Sequence, residues 1–337
     1  SEQGNNWEYS EGYIVGKNET GVKRLKCLEE KKVIKPLTND ELLELEKLES
    51  KYKAPYITGS ESFDPKNFTS SGISETFTEK NIYFNSKRDP RIYKSPHLLI
   101  KEVVEKETFT IPVKFLADDI AFKNSIFGIH APSTSKLRKI ESYIKDNHLL
   151  SFYLAGYSGR FMVNKSSSLL ATDIKNIPYP KDIKSVKLND AENIIVEDFI
   201  NYLIEFRRNG EKSKIAIQNV SNENLSEFGD TFCNVLQSVY KSIKPFQYFE
   251  TNSYICFPFY FGEKPNIDFS NSKEAENHIE KIVKKNSGTS LRLTRIVRLY
   301  EGNVIYLIKP KKLRYWLKSI ALRDADETFS DIRKQGF

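Results

Sequence analysis

Long apolar runs, clustered glycines, paired cysteines and metal-spaced histidines are all missing from this 337-residue chain. No stretch approaches the roughly 18 consecutive apolar residues of a membrane-spanning helix. Tyr254–Phe261 is the most apolar segment and is too short. No basic-then-apolar leader opens the sequence, so no secretory signal is expected. Cys27, Cys233 and Cys256 are odd in number and widely spaced, which suits reduced thiols in a cytoplasm better than a disulfide framework. None of the fifteen glycines lies two positions from another. That removes the Gly-x-Gly loop by which backbone amides approach a dinucleotide, and no P-loop is present either. His97, His130, His148 and His278 lack ligand spacing and there is no Cys-x-x-Cys, so no metal centre is expected. The single methionine is Met162; Ser1 then reads as the residue left by methionine removal, as a trimmed start, or as the edge of a piece of a larger protein.

What is present is enough for a core. Hydrophobic residues make up 39% and aromatics 12%, which argues against disorder, and the length suggests two domains. Fifty-two basic residues against 45 acidic ones give a net charge of +7. Such a balance permits nucleic-acid binding without requiring it, so local clusters carry the weight.

The patterning predicts an α+β chain: a mixed-sheet domain over residues 1–185, then a second α+β domain with long amphipathic helices over 186–337. Thr38-Asn-Asp-Glu41 is a capping box opening a helix lined by Leu42, Leu45 and Leu48. Leu98–Val104 and Thr110–Leu116 read as a strand pair. Ser133–Ser135 can cap a helix carrying Leu137, Ile140 and Ile144, and Leu149–Leu154 continues as helix. Lys181–Asp190 is a charged, Pro-flanked linker. Beyond it, Ile195, Phe199, Tyr202 and Phe206 form one apolar helical face. Leu225, Phe228, Phe232, Leu236, Val239 and Ile243 form another. Strands are expected at Lys214–Val220, Tyr254–Phe261, Leu291–Tyr300 and Val304–Ile308, with Glu301-Gly-Asn303 as a hairpin turn. A last helix after Pro310 would bury Leu313, Trp316, Leu317 and Ile320.

Three basic patches stand out. Lys87, Arg88, Arg91 and Lys94 place four cations in eight residues. Tyr157, Arg160, Phe161, Asn164 and Lys165 mix donors with flat rings, followed by Ser166–Ser168. Lys309, Lys311, Lys312, Arg314 and Lys318 stud the start of the last helix. Cations of this kind dock phosphates, and Arg and Asn read base edges in the major groove. Arg292, Arg295 and Arg298 recur at intervals of three, which cannot share one face of a strand, so at least one is expected to be structural or paired with an acid. Asp324 and Glu327 share a helical face and are the best carboxylates for magnesium chemistry. A solvated acidic turn paired with Arg323 and Arg333 explains them as well.

The order of segments over about residues 50–180 resembles the C-terminal target-recognition region of N6-adenine DNA methyltransferases of the type I and type IIG restriction-modification kind. The residues that carry the resemblance are Tyr56-Ile-Thr-Gly59, Asp64-Pro65 and Arg91-Ile-Tyr-Lys-Ser-Pro96-His-Leu-Leu-Ile-Lys101. They continue with Ile111-Pro-Val, Asn124-Ser-Ile-Phe-Gly-Ile129 and the Asp173-Ile-Lys-Asn-Ile-Pro-Tyr-Pro180 exit. The resemblance implies a reader of double-stranded DNA in a restriction-modification or phage-defence system. The family's Phe-x-Gly-x-Gly loop and Asn/Asp-Pro-Pro-Tyr motif are absent, and no two prolines are adjacent. The chain is thus expected to be non-catalytic by itself, with S-adenosylmethionine bound by a partner or a missing domain and a methyltransferase or restriction subunit as the protein partner. A magnesium-dependent nuclease and a protein-interaction subunit remain the alternatives.

Overall fold

The computed structural model describes residues 7–17, 19–161, 167–182, 186–240, 242–269, 272–287 and 296–334. The chain is α+β and divides into two units, residues 1–186 and 187–337.

In the first unit β1 (Glu8–Glu11) and β2 (Ile14–Val15) lead into a helical hairpin, α1 (Thr20–Ile34) and α2 (Asn39–Tyr52). Short strands follow: β3 (Glu61–Phe63), β4 (Phe68–Thr69), β5 (Gly72–Ile73), β6 (Phe77–Thr78) and β7 (Phe84–Ser86). Next come β8 (His97–Lys101), β9 (Val113–Leu116), β10 (Ala121–Phe122) and β11 (Ile126–His130). Helices α3 (Thr134–Ile144), α4 (His148–Tyr157) and α5 (Ala171–Lys175) close the unit. The expected pair β8–β9 is antiparallel, with His97 opposite Leu116 and Ile100 opposite Val113. It belongs to a four-stranded antiparallel sheet in the order β1-β11-β8-β9. A smaller sheet, β10-β3-β6, is mixed, since β10 runs parallel to β3.

The chain turns from β1 into the core at Gly12, where a Cβ would stand 2.1 Å from the carbonyl oxygen of Phe122. Only glycine allows that approach. The core beneath is aromatic: Tyr13, Phe63, Phe68, Phe84 and Phe122 are fully buried. Tyr13 and Phe84 meet edge to face at 5.4 Å, the arrangement ring quadrupoles favour. The capping box at Thr38 and Glu41 starts α2 as its sequence dictates, and α1 and α2 share a core of Val22, Leu25, Leu28, Leu45 and Tyr52.

In the second unit α6 (Asp190–Asn209), α7 (Lys214–Ile217) and α8 (Asn222–Gln237) precede β12 (Ile243–Pro245), β13 (Phe249–Glu250) and β14 (Tyr254–Phe261). The unit continues through α9 (Ser272–Ser287), β15 (Val297–Glu301), β16 (Val304–Pro310) and α10 (Lys318–Lys334). The sheet is antiparallel in the order β12-β14-β16-β15, with β13 also on β14. Strand alternation sorts its side chains. Ile255, Phe257, Phe259, Ile305 and Leu307 pack with α8 and α10, whereas Cys256, Tyr306 and Ile308 pack with Ala275, Ile279 and Ile282 of α9. Gly302 makes the β15–β16 turn at φ +56.

Four expectations are corrected. Residues 214–217 are a short helix, not a strand. The buried face of α6 is Val196, Ile200 and Leu203, while Ile195, Tyr202 and Phe206 lie on its exposed side. Both stripes are apolar, so periodicity alone could not choose between them. Helix α8 ends at Gln237, leaving Val239 exposed and Ile243 buried on β12. The last helix starts at Lys318, after a single 3-10 turn over Leu313–Tyr315. Trp316 is buried as expected, but the rest of the buried face is Ala321, Asp324, Ala325, Thr328 and Ile332.

Alternation along β16 also aims Lys309 into the α8/α10 side, where its ammonium lies 4.2 Å from the Phe228 ring and 4.8 Å from Trp316. Asp324 answers it from α10, and both side chains are wholly buried. Burial pushes the Lys309 pKa down to about 8 against the opposing pull of Asp324. Around this pair Arg298 bonds Asp331 at 2.9 Å and Glu327 at 2.7 Å, with its side chain only 10% exposed. Arg298 is therefore structural, as at least one of the triplet is expected to be; Arg292 and Arg295 lie outside the described residues.

His97 is buried with Nδ1 2.8 Å from the carbonyl of Ile92 and Nε2 3.1 Å from that of Asp118. Desolvation lowers its pKa, although the two carbonyls and nearby Asp119 oppose the shift and His130 adds to it. A lowered pKa means that the folded chain takes up this proton less readily than the unfolded one. Stability then falls as pH drops below the unfolded value of about 6.5.

Two predictions arise. Asp324→Ala should cost about 3–5 kcal/mol in denaturant unfolding, because it strands a buried ammonium, while Lys309→Met with Asp324→Leu should recover most of that loss. A cost below about 1 kcal/mol for the single change would contradict the assignment. Second, the stability advantage of the wild type over His97→Gln should shrink as pH falls from about 7 to about 5. A difference independent of pH would show that His97 is not the titrating group.

Candidate nucleic-acid interface

The four cations of residues 87–94 are largely turned to the fold's own use. The Lys87 ammonium donates to the carbonyls of Ser50 and Lys53 at the end of α2, where a helix presents unmatched acceptors. Arg88 takes a left-handed backbone at φ +66. Its Nε donates to Gly12 at 3.3 Å and its guanidinium pairs with Glu11 at 3.1 Å. The hydroxyls of Tyr56 and Tyr93 donate to the carbonyls of this same turn. Arg91 forks onto Asp89 and reaches Glu8 at 2.6 Å. Lys94 pairs with Asp119 at 2.6 Å. Arg91 and Lys94 hold the Asp89 and Asp119 carboxyls below their ordinary range. Exposed pairs of this kind contribute only ~0–1 kcal/mol, so Arg91 and Lys94 can exchange partners at less cost than Lys87 and Arg88, which also hold backbone carbonyls.

The C-terminal patch does similar work in the second unit. Lys311 pairs with Glu250. Lys312 donates to the Ile217 carbonyl at 2.7 Å and to Asn219 at 3.2 Å, tying α7 to the segment before α10. Arg314 bonds the Tyr315 hydroxyl and lies over its ring. Lys318 opens α10 and is half-buried. Lys309, grouped with them by sequence, is a core residue. Asp324, in place of a solvated turn or a metal site, is its buried counter-ion, and Arg323 approaches the same carboxylate at 3.5 Å. Among the described residues no group of three His, Cys, Asp or Glu side chains is placed to hold a metal ion.

Residues 148–180 behave differently. Helix α4 begins at an Asn147 cap and ends at Ser158, whose hydroxyl donates to buried Asp173 at 2.6 Å. The same hydroxyl accepts from the amides of Arg160 and Phe161, and Asp173 accepts from the Leu170 amide at 2.8 Å. This lock sets the turn. Phe161 faces inward, fully buried and edge-on to Phe109 at 5.4 Å, so its ring supports the loop and is not a contact surface. Arg160 faces outward, 46% exposed and 3.6 Å from Glu102. Ser167 and Leu169 are pinned to Val104 and Glu102 by backbone bonds of 3.2 and 2.8 Å. Both stems of the loop are thus fixed. Asn164 and Lys165 lie outside the described residues.

From the last residue of α5, four of the five residues 175–179 meet a tyrosine side chain. The Lys175 ammonium sits 5.2 Å over Tyr9, whose hydroxyl donates to the Ala171 carbonyl. The Asn176 amide donates to the Tyr157 hydroxyl at 3.3 Å, and Tyr157 stacks on Tyr153 at 5.3 Å and 15°. The Tyr143 hydroxyl donates to the Pro178 carbonyl at 2.6 Å, and Tyr179 meets the Tyr143 ring edge-on at 5.3 Å. Tyr157 and Tyr179 are each about half exposed, and Lys175 and Asn176 are exposed. The sequence reading missed Tyr143, Tyr153, Lys175, Asn176 and Tyr179. Tyr153 and Tyr157 at helical spacing i, i+4 were the available signal.

Charge favours this ridge. Residues 133–180 hold seven Lys and Arg against three Asp and Glu. Two of those acids are occupied: Asp173 is buried in its lock, and Glu141 accepts from the Phe115 amide at 2.9 Å. By contrast, a groove of about 500 Å³ between α1 and residues 80–83 mixes Lys17, Lys26 and Lys80 with Glu29 and Glu30. Its Glu29 is already taken by Tyr83 and Lys53.

The chain matches no family model, no curated protein and no solved structure, so a functional reading rests on this surface itself.

Proposed function

We propose that the first unit is a DNA-reading module and that the ridge over residues 143–180 is its contact surface. The observation that carries this reading is the run Lys175–Tyr179. It sets one cation, Lys175, a side-chain amide and half-exposed rings side by side, in the same unit as Arg160 and the pinned stems at Ser158–Phe161 and Ser167–Leu169. Cations on such a surface neutralise phosphates and release counterions, while Arg160 and Asn176 carry donors suited to base edges. Arg91 and Lys94 add exchangeable charge, and Lys87 and Arg88 hold the scaffold. In this reading the chain serves as the specificity part of a restriction-modification or phage-defence methyltransferase system. S-adenosylmethionine and the methyl transfer then belong to a partner or to a further domain. The second unit suits a protein partner, because Ile195, Tyr202, Phe206 and Ile217 leave apolar surface exposed on α6 and α7.

Fluorescence anisotropy with duplex DNA across a salt series tests the assignment. Arg160→Ala should weaken binding by about 1–3 kcal/mol, and Lys175→Ala should lower the slope of log affinity against log salt by about one. Arg88→Ala should instead reduce stability. No binding at low salt, or equal loss from Arg88→Ala and Arg160→Ala at matched folding, would overturn the reading.

A further inference from the structure

We propose that the closed end of the α1–α2 hairpin is a self-association surface on which a second copy of this chain docks about a twofold axis. Val33 is 88% exposed, Ile34 82%, Leu43 57% and Leu42 39%. All four lie within about two helical turns of the Lys35–Thr38 connection, the first pair ending α1 and the second opening α2. Helix propensity does not ask for Val and Ile at exposed positions, where straight-chain residues serve better. Together the four side chains leave roughly 400 Å² of apolar surface in water, within the ~300–600 Å² of the largest patch on a typical monomer, which is often functional.

Charge selects the occupant. Helix α1 carries five cations and two carboxylates, and α2 carries five carboxylates and two cations. Inside the hairpin Arg24 pairs with Glu44 at 2.6 Å, and Lys31 pairs with Glu41. That leaves Lys32 and Lys35 exposed on the α1 side of the tip, with Asp40 and Glu46 exposed on the α2 side; Glu30 on α1 and Lys47 on α2 are also exposed and carry the opposite sign on each helix. A DNA or anionic lipid surface would call for one sign of charge. An isologous contact calls for a patch that carries its own complement, since each residue meets its symmetry counterpart's neighbour. A twofold axis through the tip brings the α1 end of one copy against the α2 start of the other, so that Lys32 and Lys35 face Asp40 and Glu46 around an apolar centre. Two such tips bury about 800–1,000 Å² in all, the size of a weak and concentration-dependent interface.

The test is sedimentation velocity of the full chain over a concentration series, without DNA, so its outcome is independent of the proposed reading function. The wild type should shift from monomer to dimer in the micromolar range, and Ile34→Glu should remain monomeric with an unchanged unfolding midpoint. Lys32→Glu with Lys35→Glu should weaken pairing about tenfold or more. Mixing that variant with the Asp40→Lys, Glu46→Lys variant should restore a mixed dimer. A monomer at every concentration, a dimer indifferent to Ile34→Glu, or no pairing of the charge-swapped variants would overturn the proposal.

Discussion

A cation whose donors are taken up by its own fold has little left for a ligand, and this constraint organises both units. Arg88 closes the turn from β1 by reaching the carbonyl of Gly12, a residue held to glycine by the Phe122 backbone. Lys87 caps the end of α2, and Tyr56 and Tyr93 fasten the same turn from the core side. In the second unit Lys309 and Asp324 are buried together between sheet and helix, with Arg298 drawing Glu327 and Asp331 around them. Burying such a pair is not in itself a strong source of stability, but breaking it is costly. Its presence therefore ties β16, β15 and α10 into one arrangement.

With those cations assigned to structure, the remaining positive surface becomes narrower. Between residues 133 and 180 the acids are few, and two of the three are committed inward. The Ser158–Asp173 lock decides which neighbour faces solvent, turning Phe161 in and Arg160 out. Tyrosines on β1, α4 and α3 then receive Lys175, Asn176 and Pro178 in turn. Stems fixed at Ser158–Phe161 and Ser167–Leu169 hold Arg160 in a set place, the kind of support a recognition site requires.

Local features were legible in the sequence. The Thr38 capping box, the Ser133 cap, the β8–β9 pair, β14 and the Gly302 turn depend on neighbours in the chain, and all occur. The use of each cation was not legible, because the acceptor is remote: Gly12 for Arg88, Ile217 for Lys312, Asp324 for Lys309. The face of α6 was ambiguous for another reason, as two adjacent apolar stripes satisfy the same period. The resemblance reads Asp173–Pro180 as a strand exit, whereas Asp173–Lys175 end helix α5, and the side-chain partners of Lys175, Asn176 and Pro178 come from three other elements, which no local pattern announces.

Proximity is the most direct measure of the central claim that the 143–180 ridge meets DNA. A photo-crosslinking phenylalanine analogue placed at Tyr157 or Tyr179 should crosslink to duplex DNA under ultraviolet light, and the same analogue at Ile82, half exposed beside α1, should not. Crosslinking from Ile82 with none from Tyr157 or Tyr179 would contradict the account.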